Sequence, residues 1–584
     1  MATTNRPKRR SNRPALQLCA GSVECCLSEG DLRYLRIGAL EIVRRVYFVT
    51  RDPNWGNVPQ VITAPRISRA RNRFTIVYDA QSTSPGIGMA WTCRIAGEPD
   101  GSITYSITGR ALTSFMANRI GLCVHLPLEG FAGNRYQLVN RTGRVRTLAL
   151  SKTVSPHQPC TDIHALRFQL PGRTRLELTF TGDQFEIEDQ RNWIDGSYKI
   201  YSRPLARPFP FKVKTGDTFS QTLRITTRTS NRRKSGDGET IIRIGRPGRQ
   251  TAPAIGTSLP PGSIYPHQTV PRALASIGLS HLRADLDDFG RGLEAQVARA
   301  TRAAIAATAP LELALFLSRD VRREVSALAE VLRRERPAVI RFLVFGADTT
   351  CTPAAALQTA RAALGRLYPG VSFVSGTDFN FAELNRGRAS LPRADAVNYS
   401  ANPQVHASDE LSMVECLEGL RHSLDSARTF FPQAALSLSV LTLKPRKNPV
   451  ATVKVPDSPA RRYDPRQGSA FCAALTAAAL GILQEVGVAS ATLYETAGGG
   501  GLASNTGKLA PVGRMLGAYL ACRAQAVRPM RISHPLRVGG WARANTALIA
   551  NLTAETRQVV VELPGGSARR QLRLGPYALQ SIGI

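Results

Sequence analysis

Val371-Ser372-Phe373-Val374-Ser375-Gly376-Thr377-Asp378-Phe379-Asn380-Phe381-Ala382-Glu383-Leu384-Asn385 changes character halfway along. Its first four residues read as a short buried strand. Asp378, Asn380, Glu383 and Asn385 then crowd the place where that strand ends. A second stretch repeats the pattern, Val488-Ala489-Ser490-Ala491-Thr492-Leu493-Tyr494 running into Glu495-Thr496-Ala497-Gly498. Barrels of alternating strands and helices carry their chemistry on the rim where the strands end, so two strands each delivering a glutamate there suggest a (β/α)8-type hydrolase.

Outward from this pair the βα alternation continues. Leu282–Leu286, Leu311–Leu317 and Ile340–Phe345 are apolar runs, each followed by a segment with helical spacing (Leu293, Val297 and Ile305; Val321, Val325, Leu328 and Leu332; Leu357, Ala360, Leu364 and Leu367). Val371–Val374, Ala396–Tyr399, Leu436–Leu441 and Ala489–Tyr494 carry the series on, with helices at 411–426 and 470–486 between them. Such alternation implies a parallel sheet, and this many units suggest a closed barrel. Seven strands are visible; the eighth is expected around Gly500–Leu509.

The flanks read differently. From residue 16 to 250 short alternating runs such as Phe74–Tyr78, Ile103–Ile107 and Leu176–Phe180, separated by turns such as Pro99-Asp100-Gly101, indicate an all-β domain of sandwich type. Residues 251–272, rich in Pro and Gly, are expected to be a linker, 273–527 the barrel, and 528–584 a small C-terminal β domain. The basic stretch 1–15 reads as a disordered tail.

A chain of 584 residues calls for several domains. With 43% hydrophobic and 20% charged residues its composition is that of an ordinary globular protein. The formal charge of +33 invites a nucleic-acid partner, but the excess is arginine spread along the chain, with compact runs only at Lys8-Arg9-Arg10 and Arg232-Arg233-Lys234, and none is expected. No run approaches a membrane span, and no apolar h-region follows the N-terminus, so a cytoplasmic protein is expected. The ten cysteines lack metal spacing, and neither a metal nor another cofactor is expected. Composition leaves the oligomeric state open.

The strand ends supply the candidate site. Glu383 and Glu495 could divide acid and base roles if unequal surroundings push their pKa values apart. The alternative for either is a rim salt bridge with an arginine. Asp378, Asn380, Tyr399, His406 and Arg446 fall on the same rim loops and could bind substrate, Arg446 or His406 facing a developing oxyanion. In the β domain, Phe185-Glu186-Ile187-Glu188-Asp189-Gln190-Arg191-Asn192-Trp193 is too polar for a core strand. It is either a salt-bridged structural loop or a loop lending Arg191 to the substrate.

That segment, together with Gly376–Asn385, Tyr399-Ser400-Ala401-Asn402-Pro403-Gln404-Val405-His406-Ala407 and Tyr494-Glu495-Thr496, resembles the D-apionate lactonase family from about residue 16 onward. The resemblance implies a β domain, a TIM barrel and a C-terminal β domain. It also implies hydrolysis of a small-molecule sugar lactone, D-apionolactone, to D-apionate in bacterial carbohydrate catabolism. A retaining glycoside hydrolase using the same two glutamates, and a carbohydrate-binding protein without turnover, are the other readings.

Overall fold

The computed structural model describes residues 15–229, 238–261, 269–451, 458–566 and 568–584. The basic run at 8–10, the run at 232–234 and part of the stretch expected as linker lie outside them. The chain forms two compact units, one of residues up to 152 with 158–188 and 197–237, the other of 153–157, 189–196 and 238 onward.

The first unit is the expected sandwich. Eight strands, among them Leu40–Arg51, Arg119–Pro127 and Ser197–Tyr201, make one sheet, and nine, among them Phe74–Ser84, Ile87–Gly97 and Ile103–Ala111, make the other. Alternation along each strand sends one set of side chains inward. Val46, Phe48, Leu122 and Val124 of the first sheet thus share a core with Ile76, Trp91, Ile95 and Tyr105 of the second. Phe48 and Trp91 bring their rings to 4.7 Å across that core.

The second unit holds a closed parallel barrel: β1 (Ala254–Ser258), β2 (His281–Leu286), β3 (Leu311–Leu317), β4 (Val339–Gly346), β5 (Ser372–Gly376), β6 (Ala396–Ala401), β7 (Ala435–Leu441) and β8 (Ser490–Ala497). β1 pairs with β8 and completes the ring. The seven strands read from the sequence are all present. The eighth is β1, inside the stretch expected as linker, while Gly501–Ala503 is a short strand paired beyond β8. Short β-like runs beside Pro and Gly are hard to tell from loop, and only parallel pairing on both sides defines β1.

A second boundary also moves. Thr240–Ile244, expected in the N-terminal β domain, pairs in parallel with Arg557–Glu562 and antiparallel with Met530–Ile532. Ile242 and Ile244 pack on Val559, Val561 and Leu572, so this strand completes the C-terminal β core. No helix among the described residues is long and apolar enough to cross a membrane.

The barrel strands are buried on both faces, which is why they read as apolar runs. Leu282, Leu313, Val344 and Val397 face the helices. Leu293 and Val297 of helix Leu293–Ala307 meet this layer, but Ile305 is 72% exposed because it lies a quarter-turn beyond the buried Ala304. The lumen is divided. Ala314, Phe316, Leu343, Phe345, Val374 and Ala396 form its apolar half. The other half is polar: Ser439 Oγ and Thr492 Oγ1 donate to Glu312 Oε1 at 2.6 and 2.8 Å, and His281 Nε2 meets Thr492 Oγ1 at 2.9 Å. Burial pushes His281 down to about 4.

Gly376 ends β5 with φ of +134°, where a Cβ would stand 2.0 Å from the Asn398 carbonyl oxygen of β6. Gly376→Ala therefore combines backbone strain with overpacking, and a loss of about 3 kcal/mol or more is expected. A chemical-denaturation midpoint equal to that of the unchanged chain would contradict the close β5–β6 approach.

Candidate active site at the barrel mouth

The mouth is organised by Arg283, which β2 points into the lumen and which is fully buried. Its Nε donates to Asp285 Oδ1 at 2.7 Å and its Nη2 to Asp378 Oδ1 at 2.5 Å. Its Nη1 donates to the Ser439 carbonyl of β7 at 2.8 Å. One guanidinium thereby ties β2 and β7 to the loop that follows β5. A fixed planar fork suits this task, since a lysine could not meet two carboxylates and a carbonyl in set directions.

The two aspartates in turn hold Arg446, from the loop after β7. Arg446 Nη2 donates to Asp285 and its Nη1 to Asp378 Oδ1 at 3.3 Å. Lys447 Nζ stands 2.9 Å from Asp378 Oδ2 and 3.7 Å from the centre of the Phe316 ring. Burial works to raise both aspartates, but the neighbouring cations prevail, Arg283 foremost, and hold both below the usual carboxylate range. Both are committed anions.

Glu495 is different. It projects from β8 into a cleft lined also by Arg446, Arg462, Tyr463 and Asp464. Burial raises its pKa, against the Tyr463 hydroxyl and the charges of Arg446 and Arg462. Its Oε2 has no hydrogen-bond partner. Tyr463 packs flat against the backbone of Gly499 and Gly500, where a Cβ would come within 2.7 and 2.9 Å of its ring. These glycines set the phenol beside Glu495. Among the described residues, Arg283, Lys444, Arg446, Lys447 and Arg462 against Asp285, Asp378, Asp464 and Glu495 leave the rim positive.

Of the residues expected in the site, Asp378, Arg446 and Glu495 come together. Glu383 does not join them. It lies in the first turn of helix Phe381–Gly387, where its carboxylate faces the backbone N–H groups of Asn380 and of Glu383 itself. The Asn380 side chain, at the N-cap, makes no cap bond, and Glu383 Oε2 has no hydrogen-bond partner. Burial pushes Glu383 up to about 6, against Arg386, and none of the charges that act on Glu495 acts on it. Asn380 accepts from Asn402 Nδ2 at 3.2 Å. Tyr399 points outward, its hydroxyl 2.9 Å from Ser423 Oγ on helix Glu410–Phe430 and its ring edge-on to Phe381.

His406 Nδ1 meets Asp195 Oδ2 at 2.8 Å, and its ring stands edge-on to Trp193. Arg191 is fully buried and grips Asp189 with Nε and Nη2 at 2.8 and 2.7 Å, while Nη2 also donates to the Thr153 carbonyl. The expectation that Arg191 touches substrate is corrected: its fork is spent on Asp189, the Thr153 carbonyl and His422 Nδ1, 3.1 Å from Nη1, which is the salt-bridged structural alternative. Asn192 of the same loop accepts from Asn385 Nδ2 at 3.0 Å.

Arg283, Asp285, Lys447 and Tyr463 were not singled out from the sequence. A signal for the first two exists. In His281-Leu282-Arg283-Ala284-Asp285-Leu286 polar and apolar residues alternate strictly, placing two opposite charges on the lumen face of a strand whose helix-facing side is apolar. Among the described residues no group of three or more His, Cys, Asp and Glu side chains gathers as a metal site.

Comparison with known proteins follows the same division. Residues 3–230 match the model of the D-apionate lactonase N-terminal domain, and residues 255–526 that of the D-apionate lactonase TIM barrel domain. A D-apionate lactonase of Brucella anthropi is 26% identical, the alignment covering 97% of this chain and 96% of that protein. Among solved structures, a GH30 endoxylanase from Clostridium papyrosolvens matches with 10% identity, covering 59% of this chain and 99% of its own, at a TM-score of 0.40. A family 39 glycoside hydrolase from Bacteroides cellulosilyticus matches with 10% identity, covering 74% and 99%, at 0.38.

If Arg283 fixes the mouth, Arg283→Met leaves the buried Asp378 and the half-buried Asp285 to Arg446 and Lys447 alone and costs about 3–5 kcal/mol at neutral pH. Asp285 and Asp378 have depressed folded-state pKa values, so the stability they add is present above the ordinary aspartate pKa and lost in acid. The gap between variant and parent in urea melts should therefore be full at neutral pH and narrow below roughly pH 4. A gap independent of pH would contradict the pairing.

Proposed function

The chain belongs to the D-apionate lactonase family, and on that premise we propose that it opens D-apionolactone to D-apionate with Glu495 as the base and Arg446 as the oxyanion partner. The protein is a lactonase, a hydrolase of a cyclic carboxylic ester. The finer assignment rests on one observation above others. Glu495 is the carboxyl at the mouth with a raised pKa, a free oxygen and a cleft beside it, whereas Asp285 and Asp378 are held in ion pairs.

In the proposed reaction ionised Glu495 takes a proton from a water in the cleft. The water oxygen adds to the lactone carbonyl carbon, and the carbonyl electron pair moves onto oxygen, where Arg446 faces it. Collapse re-forms the carbonyl and breaks the bond to the ring oxygen, which receives the proton held by Glu495. The product acid ionises, releasing one proton per turnover. No step draws on a metal. The role first given to Glu383 passes to Glu495 alone, which serves as base and then as acid.

A retaining glycosidase would need a second available carboxyl about 5–5.5 Å from Glu495. The aspartates beside Glu495 are bound to arginine, and Glu383 does not line the cleft that Glu495 enters. The lactonase reading is the better supported.

Glu495→Gln should lower kcat/KM by about 10²–10⁴-fold with the circular-dichroism spectrum unchanged. Glu383→Gln should keep near-wild-type turnover, since Glu383 does not line the cleft that Glu495 enters. Because Glu495 acts ionised and its pKa is raised, kcat/KM should fall on the acid side with a midpoint above the ordinary carboxylate range, as protonation removes the base. An indicator-dye assay on a panel of sugar lactones, run beside chromogenic glycosides, tests the substrate class. Full activity in Glu495→Gln, or turnover of glycosides alone, would reject the proposal.

A further inference from the structure

In β8 the pleat is broken immediately before Glu495. Ala491 faces the helices, and Thr492 faces the lumen, where it meets Glu312 and His281. Strict alternation would then send Leu493 out, Tyr494 in and Glu495 out, away from the mouth. The observed order differs. Leu493 and Tyr494 both lie in the apolar layer between strands and helices, and the Tyr494 hydroxyl is 2.7 Å from Thr476 Oγ1 on helix Ala470–Val486. Glu495 therefore points into the mouth.

The pairing with β1 records the same event. Gly256 stands opposite Thr492 and Ser258 opposite Glu495, so Leu493 and Tyr494 together oppose one residue of β1. This is a β-bulge, a device that re-aims a side chain beside a site. It has a cost, because Tyr494 adopts φ of +58°, a left-handed conformation that a bulky residue rarely takes. Three contacts hold it. Ser258 Oγ donates to the Tyr494 carbonyl at 2.7 Å, the Glu495 N–H donates to the Gly500 carbonyl at 2.9 Å, and the buried phenol is anchored on Thr476.

We infer that Tyr494 and Ser258 are positioning residues for the reaction. Neither is assigned a chemical role; together they keep the bulge that turns Glu495 from the helix-facing side of β8 into the cleft. The inference rests on Glu495 being the base.

The test separates the bulge from the phenol. Tyr494→Gly and Tyr494→Val both discard the ring and its bond to Thr476, but only glycine accepts a positive φ without penalty. Tyr494→Val should lower kcat by about a hundredfold, the scale of a misplaced catalytic group, while Tyr494→Gly retains most of the rate. The acid limb of kcat/KM should stay in place for Tyr494→Gly. For Tyr494→Val it should move to higher pH, since a Glu495 turned to the helix-facing side enters the apolar layer and leaves the charges of Arg446 and Arg462.

Ser258→Ala should lower kcat at unchanged KM and shift the limb the same way, and Ser258→Thr, which keeps the hydroxyl, should restore both. A purely structural role would reduce the active fraction without moving the limb. Equal kcat for the glycine and valine variants with unmoved limbs would overturn the inference; if the valine variant does not fold, wild-type kcat and limb in Ser258→Ala would do so. Wild-type turnover by Glu495→Gln would instead remove the base assignment itself, and this inference with it.

Discussion

The mouth of this barrel is possible because a single buried guanidinium is fully answered. Arg283 sits in the lumen with no exposure, and an unpaired charge there would be prohibitively costly. Two carboxylates and a backbone carbonyl meet it, and these come from β2, from the loop after β5 and from β7. The rim loops are thereby referred to the barrel interior rather than left to find positions of their own. Arg446 inherits its place from the same two aspartates. The apolar half of the lumen, Phe316 and Phe345 included, supplies the dry surroundings that make such pairs specific in direction.

This arrangement separates carboxyls by availability. Asp285 and Asp378 are kept ionised by adjacent cations and have no capacity left to exchange protons at ordinary pH. Glu495, at the end of β8, is buried enough to be raised but not paired enough to be lowered. A base needs that middle condition: ionised near neutrality, yet basic enough to take a proton from water. On the proposed reading Glu383 shows that a raised pKa alone is not sufficient, since it does not line the cleft that Glu495 enters.

How much of this was readable beforehand depends on what kind of signal each residue emits. Barrel strands flanked by helices announce themselves by apolar runs with 3.6-residue spacing between them, and seven were legible. β1 carries no such contrast, because Ala254–Ser258 is short and sits among Pro and Gly. Thr240–Ile244 fell within the stretch read as the N-terminal β domain and not as a partner of Arg557–Glu562, since parallel pairing over three hundred residues leaves no local trace. Glu383 and Glu495 looked equivalent as glutamates at strand ends. What distinguishes them is a helix N-cap three residues upstream in one case and a bulge in the other. Arg191 misled because a polar loop that satisfies itself looks, in sequence, like a polar loop awaiting a ligand. Arg283 and Asp285 stood in plain alternation within a strand and were passed over as part of it.

On the proposed reading, the charge arrangement also bears on turnover. A neutral lactone becomes an anionic acid, so a bare arginine cluster would bind product better than substrate and slow its release. Catalysis gains only from contacts stronger in the transition state than in the states on either side. Arg446 is already engaged by Asp285 and Asp378, which lowers its appetite for a diffuse product carboxylate that water solvates well. A tetrahedral oxyanion concentrates charge on one oxygen inside the cleft, where water is scarce and a fixed donor counts for most. The two aspartates thus act as moderators of Arg446 as well as its scaffold, and the same pairing that keeps them out of proton transfer lets the site discharge what it makes.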